Sequence, residues 1–184
     1  RPFIADMTAA IYETHTCAPP GCVWTKQIHH VLMWIRALLE QHDCRLERRY
    51  FVEVHFGRGL HVEIHLDASP WGLGGYLVEA SQLISWFSTP IYSAEAKALG
   101  LEIGSCKCQQ AAEALAVLVA LRLWCKRWRE KGVLIRIKSD SVSALILVMR
   151  LKTRGGSASI IAREIAPDVA RPCDCLHVAE HIPG

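Results

Sequence analysis

From His61 to Asp67 apolar and polar residues alternate, so Val62, Ile64 and Leu66 fall on one side of an extended chain and His61, Glu63, His65 and Asp67 on the other. That period of two predicts a strand over 61–67 with a carboxylate at its C-terminal end. Pro70 to Gly75 reads as a tight turn whose glycines tolerate positive φ. Strands over 74–79 and 82–88, joined by a short turn at Ala80-Ser81, extend the first into an antiparallel meander. Thr89 to Lys107 reads as a loop with a short helix. The run Ala111 to Leu121 is apolar on nearly every side, which predicts a buried helix over about 109–131, stopping before Gly132. A further strand follows at 133–139 and a helix at Ser141–Leu151. Gly155-Gly156 breaks the chain before another helix, Ser157–Ala166, and the last strand is Cys175–Ala179. This order predicts an α/β fold, a mixed sheet with a helical layer.

The first fifty-odd residues have a different character. Pro19-Pro20-Gly21 interrupts the chain, and Thr25 opens a helical period through Ile28, Val31, Leu32, Ile35, Leu38 and Leu39 that Gln41-His42-Asp43 ends. The basic stretch Arg45 to Arg49 and an alternating segment to His55 lead to a loop at Gly57-Arg58-Gly59. Residues 1–58 are therefore assigned to a connecting region and 59–184 to the domain proper. With 184 residues the chain holds one domain and an appendage. An apolar fraction of 51% implies a packed core rather than disorder, and charges interrupt every apolar run before it reaches membrane-spanning length. Arg1, without an initiator Met or a secretory pattern, suggests a piece of a longer polypeptide. A formal charge of +3 permits a polyanionic partner without demanding one. The eight cysteines include Cys17 with Cys22 and two C-x-C pairs, Cys106/Cys108 and Cys173/Cys175, but no C-x-x-C. Reduced structural thiols in an intracellular protein, cytoplasmic or nuclear and not secreted, account for them better than a zinc site joining the two pairs.

Candidate chemistry lies in three carboxylates from three kinds of segment. Asp67 ends the first strand, Glu113 sits early in the apolar helix, and Asp140 ends the strand 133–139. A fold that gathers two neighbouring strand ends and one helix brings three negative charges close together. Such a cluster calls for hard divalent cations, and two such ions suit in-line phosphoryl displacement. Each residue also has a plainer role: Asp67 as a turn former, Glu113 as a favourable charge near a helix start, and Asp140 as a helix cap. The basic groups Lys126, Arg127, Arg129 and Lys131, then Arg150, Lys152 and Arg154, are solvated helix ends or phosphate contacts. His65 and His177 read as strand residues, and His181 as either structural or a proton shuttle.

Together the stretches Asp67-Ala68-Ser69-Pro70-Trp71-Gly72-Leu73-Gly74-Gly75, Glu113 to Arg122, Ser139 to Leu145 and the tail His177 to Gly184 resemble the ribonuclease H domain that follows the polymerase in reverse-transcriptase polyproteins of retrotransposons. The resemblance covers about 61–184, in order, and residues 1–58 are then similar to the connection leaving the polymerase. It implies a five-stranded mixed sheet of order 3-2-1-4-5, the first three strands antiparallel, flanked by helices. It also implies cleavage of the RNA strand of RNA–DNA hybrids with two Mg2+ ions, Mn2+ being an alternative. In that scheme Asp67 bridges both ions, Glu113 holds one and Asp140 the other, and Ser69, Gly72, Ser141 and His181 contact substrate. The partners it implies are hybrid nucleic acid and an upstream reverse-transcriptase domain, with no membrane. Two departures stand out. The family continues beyond its H-x-P-G segment into a helix bearing a fourth acidic ligand, whereas this sequence ends at Gly184. The basic insertion of cellular ribonucleases H has no counterpart between Leu151 and Ser157. The expectation is a weakened metal site and low activity for this piece. A degenerate domain kept for nucleic-acid binding or polymerase support, and a DNA nuclease or integrase of the same broad fold, are the alternatives.

Overall fold

The computed structural model describes residues 7–8, 10–12, 19, 21–40, 51–128, 131–151, 156–170 and 175–182. The basic stretch 45–49, Arg129, Lys152, Arg154, Gly155, Cys17, Cys44, Cys173 and the terminal Pro183-Gly184 lie outside them.

The alternating segments become one sheet of strands β1 (Leu60–Ala68), β2 (Gly72–Glu79), β3 (Gln82–Pro90), β4 (Val133–Ser139) and β5 (Cys175–His181). Their order is β3-β2-β1-β4-β5. β1, β2 and β3 are antiparallel neighbours, while β4 runs parallel to both β1 and β5. Both the order and the directions match the expectation. Around the sheet lie α1 (Thr25–Glu40), α2 (Val52–His55), α3 (Ser93–Leu99), α4 (Gln109–Trp124), α5 (Val142–Arg150) and α6 (Gly156–Ala170).

α4 is the centre of the core. Ala112, Ala114 and Ala120 are wholly buried, and their small side chains let the helix lie close to β1 and β2 on one side and to α5 and α6 on the other. Val62, Ile64 and Leu66 from β1 join Val133, Ile135 and Ile137 from β4 in the same cluster. The continuous helical stretch Cys106–Trp128 is long and apolar enough to cross a membrane, but here its apolarity is spent on burial inside the domain.

Four local expectations change. The turn between β1 and β2 is the two-residue loop Pro70-Trp71, closed by Ser69 N–H to Gly72 O at 2.8 Å and Gly72 N–H to Ser69 O at 3.3 Å. Gly72 to Gly75 belong to β2, and none of its glycines has positive φ. Gly75 is needed for space instead: a Cβ there would lie 2.6 Å from Leu66 Cδ2 and 2.9 Å from the His65 carbonyl oxygen. The long helix ends at Trp124 and tightens into a 3-10 turn at Cys125–Trp128. Trp128 is thereby buried, its Nε1 donating to Glu79 Oε1 at 3.2 Å. The alternating segment before His55 contains the one-turn helix α2, because Val54 drops into a notch whose walls are glycines: a Cβ at Gly59 or Gly132 would sit 2.9 Å from Val54 Cγ2. The chain thus touches the domain from Phe51 onward. Finally, α6 runs through Pro167 to Ala170. Arg122 on α4 ties that last turn down, donating from Nε to Asp168 Oδ2 at 2.8 Å and from its terminal nitrogen to Glu164. Tertiary ion pairs outweigh the local cost of proline.

Candidate active site at the carboxylate end of the sheet

In the parallel ladder of β1 and β4, His65 stands opposite Lys138. Asp67 follows two residues on in β1, and Asp140 comes just past the end of β4 at Ser139, so both carboxylates stand beyond the last paired residues of adjoining strands. Neighbouring strands are about 4.8 Å apart. Both residues are exposed, and both line one cleft of about 450 Å³, together with His65, Tyr76, Lys138 and Ile182. Among the described residues neither carboxylate has a side-chain hydrogen bond or ion pair.

The side of the cleft away from the carboxylates is heavily paired. Lys138 Nζ lies 2.9 Å from Glu63 Oε2, and Arg136 bridges Glu63 at 3.8 Å and Glu180 at 3.4 Å. The hydrogen bond from Lys138 holds the Glu63 carboxyl below its ordinary value, with burial opposing and His65 assisting. The His65 ring stacks on Tyr76 with centroids 4.4 Å apart and planes within 8°. Lys138 is thus anchored before it reaches the Asp67–Asp140 pair.

Glu113 approaches from the helical layer. Gln109, one turn earlier on α4, donates from Nε2 to the Ala68 carbonyl at 2.6 Å and to Glu113 Oε1 at 3.0 Å. The third carboxylate therefore lies one amide away from the residue after Asp67. It does not line the cleft, and its oxygen is committed to Gln109. Among the described residues no group of three or more His, Cys, Asp or Glu is close enough to hold a metal. The sheet brings Asp67 and Asp140 together and leaves Glu113 beside them. Two unpaired hard oxygen donors in one open cleft suit a divalent cation of the Mg2+ type. A three-carboxylate ligand set requires Glu113 to leave Gln109.

The four candidate substrate residues have local partners. The Ser69 hydroxyl accepts from Trp71 N–H at 3.3 Å and Gly72 N–H at 3.2 Å, pinning the hairpin loop. Gly72 faces the Thr89 carbonyl, which a Cβ would meet at 3.0 Å. Ser141 is the N-cap of α5, accepting from Ala144 N–H at 3.3 Å, and its own N–H donates to Ser139 Oγ at 3.1 Å. His181 ends β5 with Nε2 3.0 Å from the Asp140 carbonyl oxygen. With Ile182 N–H donating to Ser139 O at 3.1 Å, it straps the chain around Asp140. The sequence reading passed over Lys138, Tyr76 and Gln109. Lys138 shares the outward face of β4 with Arg136, and Gln109 precedes Glu113 by the four residues that make helix neighbours. Both patterns were visible in the chain, whereas Tyr76 is placed by cross-strand pairing alone.

No protein-family model matches this sequence, and no curated protein does. Among solved structures, the chain is similar to ribonuclease H1 from Halobacterium salinarum, at 14% identity over 67% of this chain and 85% of that one, with a TM-score of 0.46. It is also similar to a ribonuclease H1 isolated from compost by a metagenomic approach, at 18% identity over 67% and 84%, TM-score 0.48. A third similarity is to the foamy viral protease–reverse transcriptase in complex with RNA/DNA hybrid, at 14% identity over 86% of this chain but only 24% of that one, TM-score 0.44. The fold is read from the chain's own sheet. Three antiparallel strands, two parallel ones, the order β3-β2-β1-β4-β5 and the helices packed across it make it a ribonuclease H-like fold.

Proposed function

We propose that the domain is a metal-dependent ribonuclease H that cleaves the RNA strand of RNA–DNA hybrids within a retroelement polyprotein, downstream of a reverse transcriptase. The observation that carries this reading is the pair Asp67 and Asp140, at the C-terminal ends of the adjacent parallel strands β1 and β4, unpaired and lining one open cleft. Asp67 and Asp140 would hold the divalent ion, with Glu113 joining after release from Gln109. When bound, the ion supplies a Lewis acid for the scissile phosphate and lowers the pKa of a coordinated water. The chain's own contribution is placement. His181 and Ile182 hold the backbone around Asp140, Gln109 sets Glu113 against Ala68, and the Glu63–Lys138–Arg136 array keeps the neighbouring strands in register. A hybrid is recognised through phosphates, 2′-hydroxyls and a wide, shallow minor groove, so little sequence preference is expected.

The test is cleavage of labelled RNA–DNA hybrid with Mg2+, beside duplex DNA and single-stranded RNA. Hybrid-specific cleavage abolished by Asp140→Asn supports the reading, while cleavage that survives Asp140→Asn rejects the site. One observation favours a second reading, nucleic-acid binding without cleavage: among the described residues no three acidic or imidazole groups form a closed ligand set. Hybrid binding with no metal-dependent cleavage decides for it.

A further inference from the structure

The tip of the β1–β2 hairpin carries a large aromatic side chain that the fold does not use. Trp71 is 63% exposed, yet its backbone is firmly held. Its N–H donates to the Ser69 hydroxyl at 3.3 Å, and its carbonyl accepts from Ile91 N–H at 2.8 Å. The preceding Pro70 carbonyl accepts from Gly104 N–H at 3.0 Å. The indole lies against Gly104, where a Cβ would stand 3.2 Å from Nε1 and 3.7 Å from Cε2; that glycine also has φ of +84°. A missing side chain and a left-handed backbone thus make the bed on which the ring rests. Isolated exposed apolar residues need no explanation, but an exposed ring that rests on Gly104 from a hydrogen-bonded backbone has given up part of its conformational freedom in advance. That is the property of a binding anchor.

The surroundings suit a nucleic-acid strand. Tyr92, 57% exposed, follows Ile91 at the same edge. Lys107 is exposed on the 3-10 turn Cys106–Cys108, which leads directly to Gln109 and so to Glu113. Trp71 lies in the loop of the same hairpin whose first strand carries Asp67.

We propose that Trp71 is a specificity-determining contact for the hybrid, its indole packing on the ribose edges of the shallow minor groove from the loop of the hairpin that carries Asp67. The proposal rests on the ribonuclease H reading. An A-like minor groove is wide and shallow enough to receive a rigid indole, whereas that of B-form DNA is narrow. Trp71 should therefore favour hybrid over duplex DNA, with Lys107 gripping phosphate regardless of sequence.

The experiment compares wild type with Trp71→Ala, Trp71→Phe and Gly104→Ala. Binding to hybrid and to duplex DNA is read by fluorescence anisotropy, KM and kcat by hybrid cleavage with Mg2+, and folding by circular dichroism. Loss of a tryptophan anchor is expected to raise the hybrid Kd and KM of Trp71→Ala roughly 10- to 100-fold, with kcat within about twofold and a smaller change for duplex DNA. Trp71→Phe should recover most of the loss, and Gly104→Ala, which lifts the ring, should fall between. Equal hybrid affinity and KM in a folded Trp71→Ala overturns the proposal while leaving the ribonuclease reading intact. An equal loss for hybrid and duplex DNA overturns the claim of specificity. A wild-type protein that neither binds nor cleaves hybrid overturns both.

Discussion

Replacing Asp67 by Asn should stabilise the metal-free protein while destroying its activity. The two carboxylates line one cleft at the ends of neighbouring strands, and taking the strand spacing as their separation gives about 5 Å. Coulomb repulsion at that separation is about 0.8 kcal/mol in bulk water and rises to roughly 3 kcal/mol at an effective dielectric of 20. Both side chains are exposed, which selects the lower end and screens it further with salt. Asn removes the charge at nearly constant volume, so about 0.5–1 kcal/mol should be gained in chelator at low ionic strength. Asp140→Asn should gain less, because Asp140 precedes the N-cap of α5, where a negative charge is itself favourable by about 0.3–1 kcal/mol. For a domain of this size 1 kcal/mol corresponds to roughly 2–8 °C in Tm. Magnesium reverses the order. At 100 times its Kd, a bound ion stabilises wild type by about 2.7 kcal/mol, and the Asn variants should lose most of that gain. Thermal melts in chelator and in Mg2+, at low and high salt, measure all of these effects. If Asp67→Asn melts below wild type in chelator, or if added Mg2+ raises its Tm as much as that of wild type, the two carboxylates do not share a cation site.

Gly75→Ala should destabilise the domain by about 1–3 kcal/mol, since its Cβ would collide with the His65 carbonyl oxygen at 2.9 Å, which cannot move aside as a flexible side chain does; a denaturant midpoint equal to wild type would contradict this. Arg122→Met should cost about 1–2 kcal/mol and speed hydrogen exchange at the C-terminal turn of α6. The burial that disfavours the Arg122 charge is outweighed by its hydrogen bonds to Glu164 and Asp168, so both carboxylates would lose their cation; unchanged exchange there would show that α6 passes Pro167 without this tether. Glu63 makes a prediction in pH. Its folded pKa is depressed below the ordinary 4.5 by Lys138 first of all, so its contribution is complete above 4.5 and disappears as pH falls through the depressed value. Wild type should therefore lose more stability than Glu63→Gln between about pH 5 and 3, and parallel acid-unfolding profiles would count against the Glu63–Lys138 pair.

Much of the fold was legible in the chain because each element carries its own period. The alternation of Val62, Ile64 and Leu66 with His61, Glu63, His65 and Asp67 assigned β1 and its two faces, and the structure buries the first set and leaves the second half-buried or exposed. The all-round apolar run from Ala111 assigned the buried helix, and Ala80-Ser81 assigned a turn whose two residues both have positive φ, at 49° and 64°. Such features depend on neighbours within a few residues. Where the reading slipped, a distant partner was responsible. Gly75 looked like part of a turn, but its lack of a side chain serves Leu66 and Phe87 on the strands beside it. The last helix was assigned to end at Ala166, and it runs on to Ala170, where Arg122 from another helix holds Asp168.

The candidate site divides in the same way. Residue types and chain positions, Asp67 and Asp140 at strand ends and Glu113 early in a helix, were determined by the sequence alone, since burial periods locate strand ends without knowledge of their neighbours. Whether those carboxylates meet is a matter of strand order and register. The parallel pairing of β1 with β4 brings the strand ends that carry Asp67 and Asp140 to one cleft, and no local pattern encodes it. Only the packed structure decided that Gln109 bridges Ala68 and Glu113, holding the third carboxylate next to the cleft and not in it. The physical reason is one of range. Backbone propensity and burial period act over a few residues, whereas a shared cation at Asp67 and Asp140 or a bridge from Gln109 to Ala68 requires groups more than forty positions apart to meet within a few ångströms, and that is settled only when the whole sheet closes on its core.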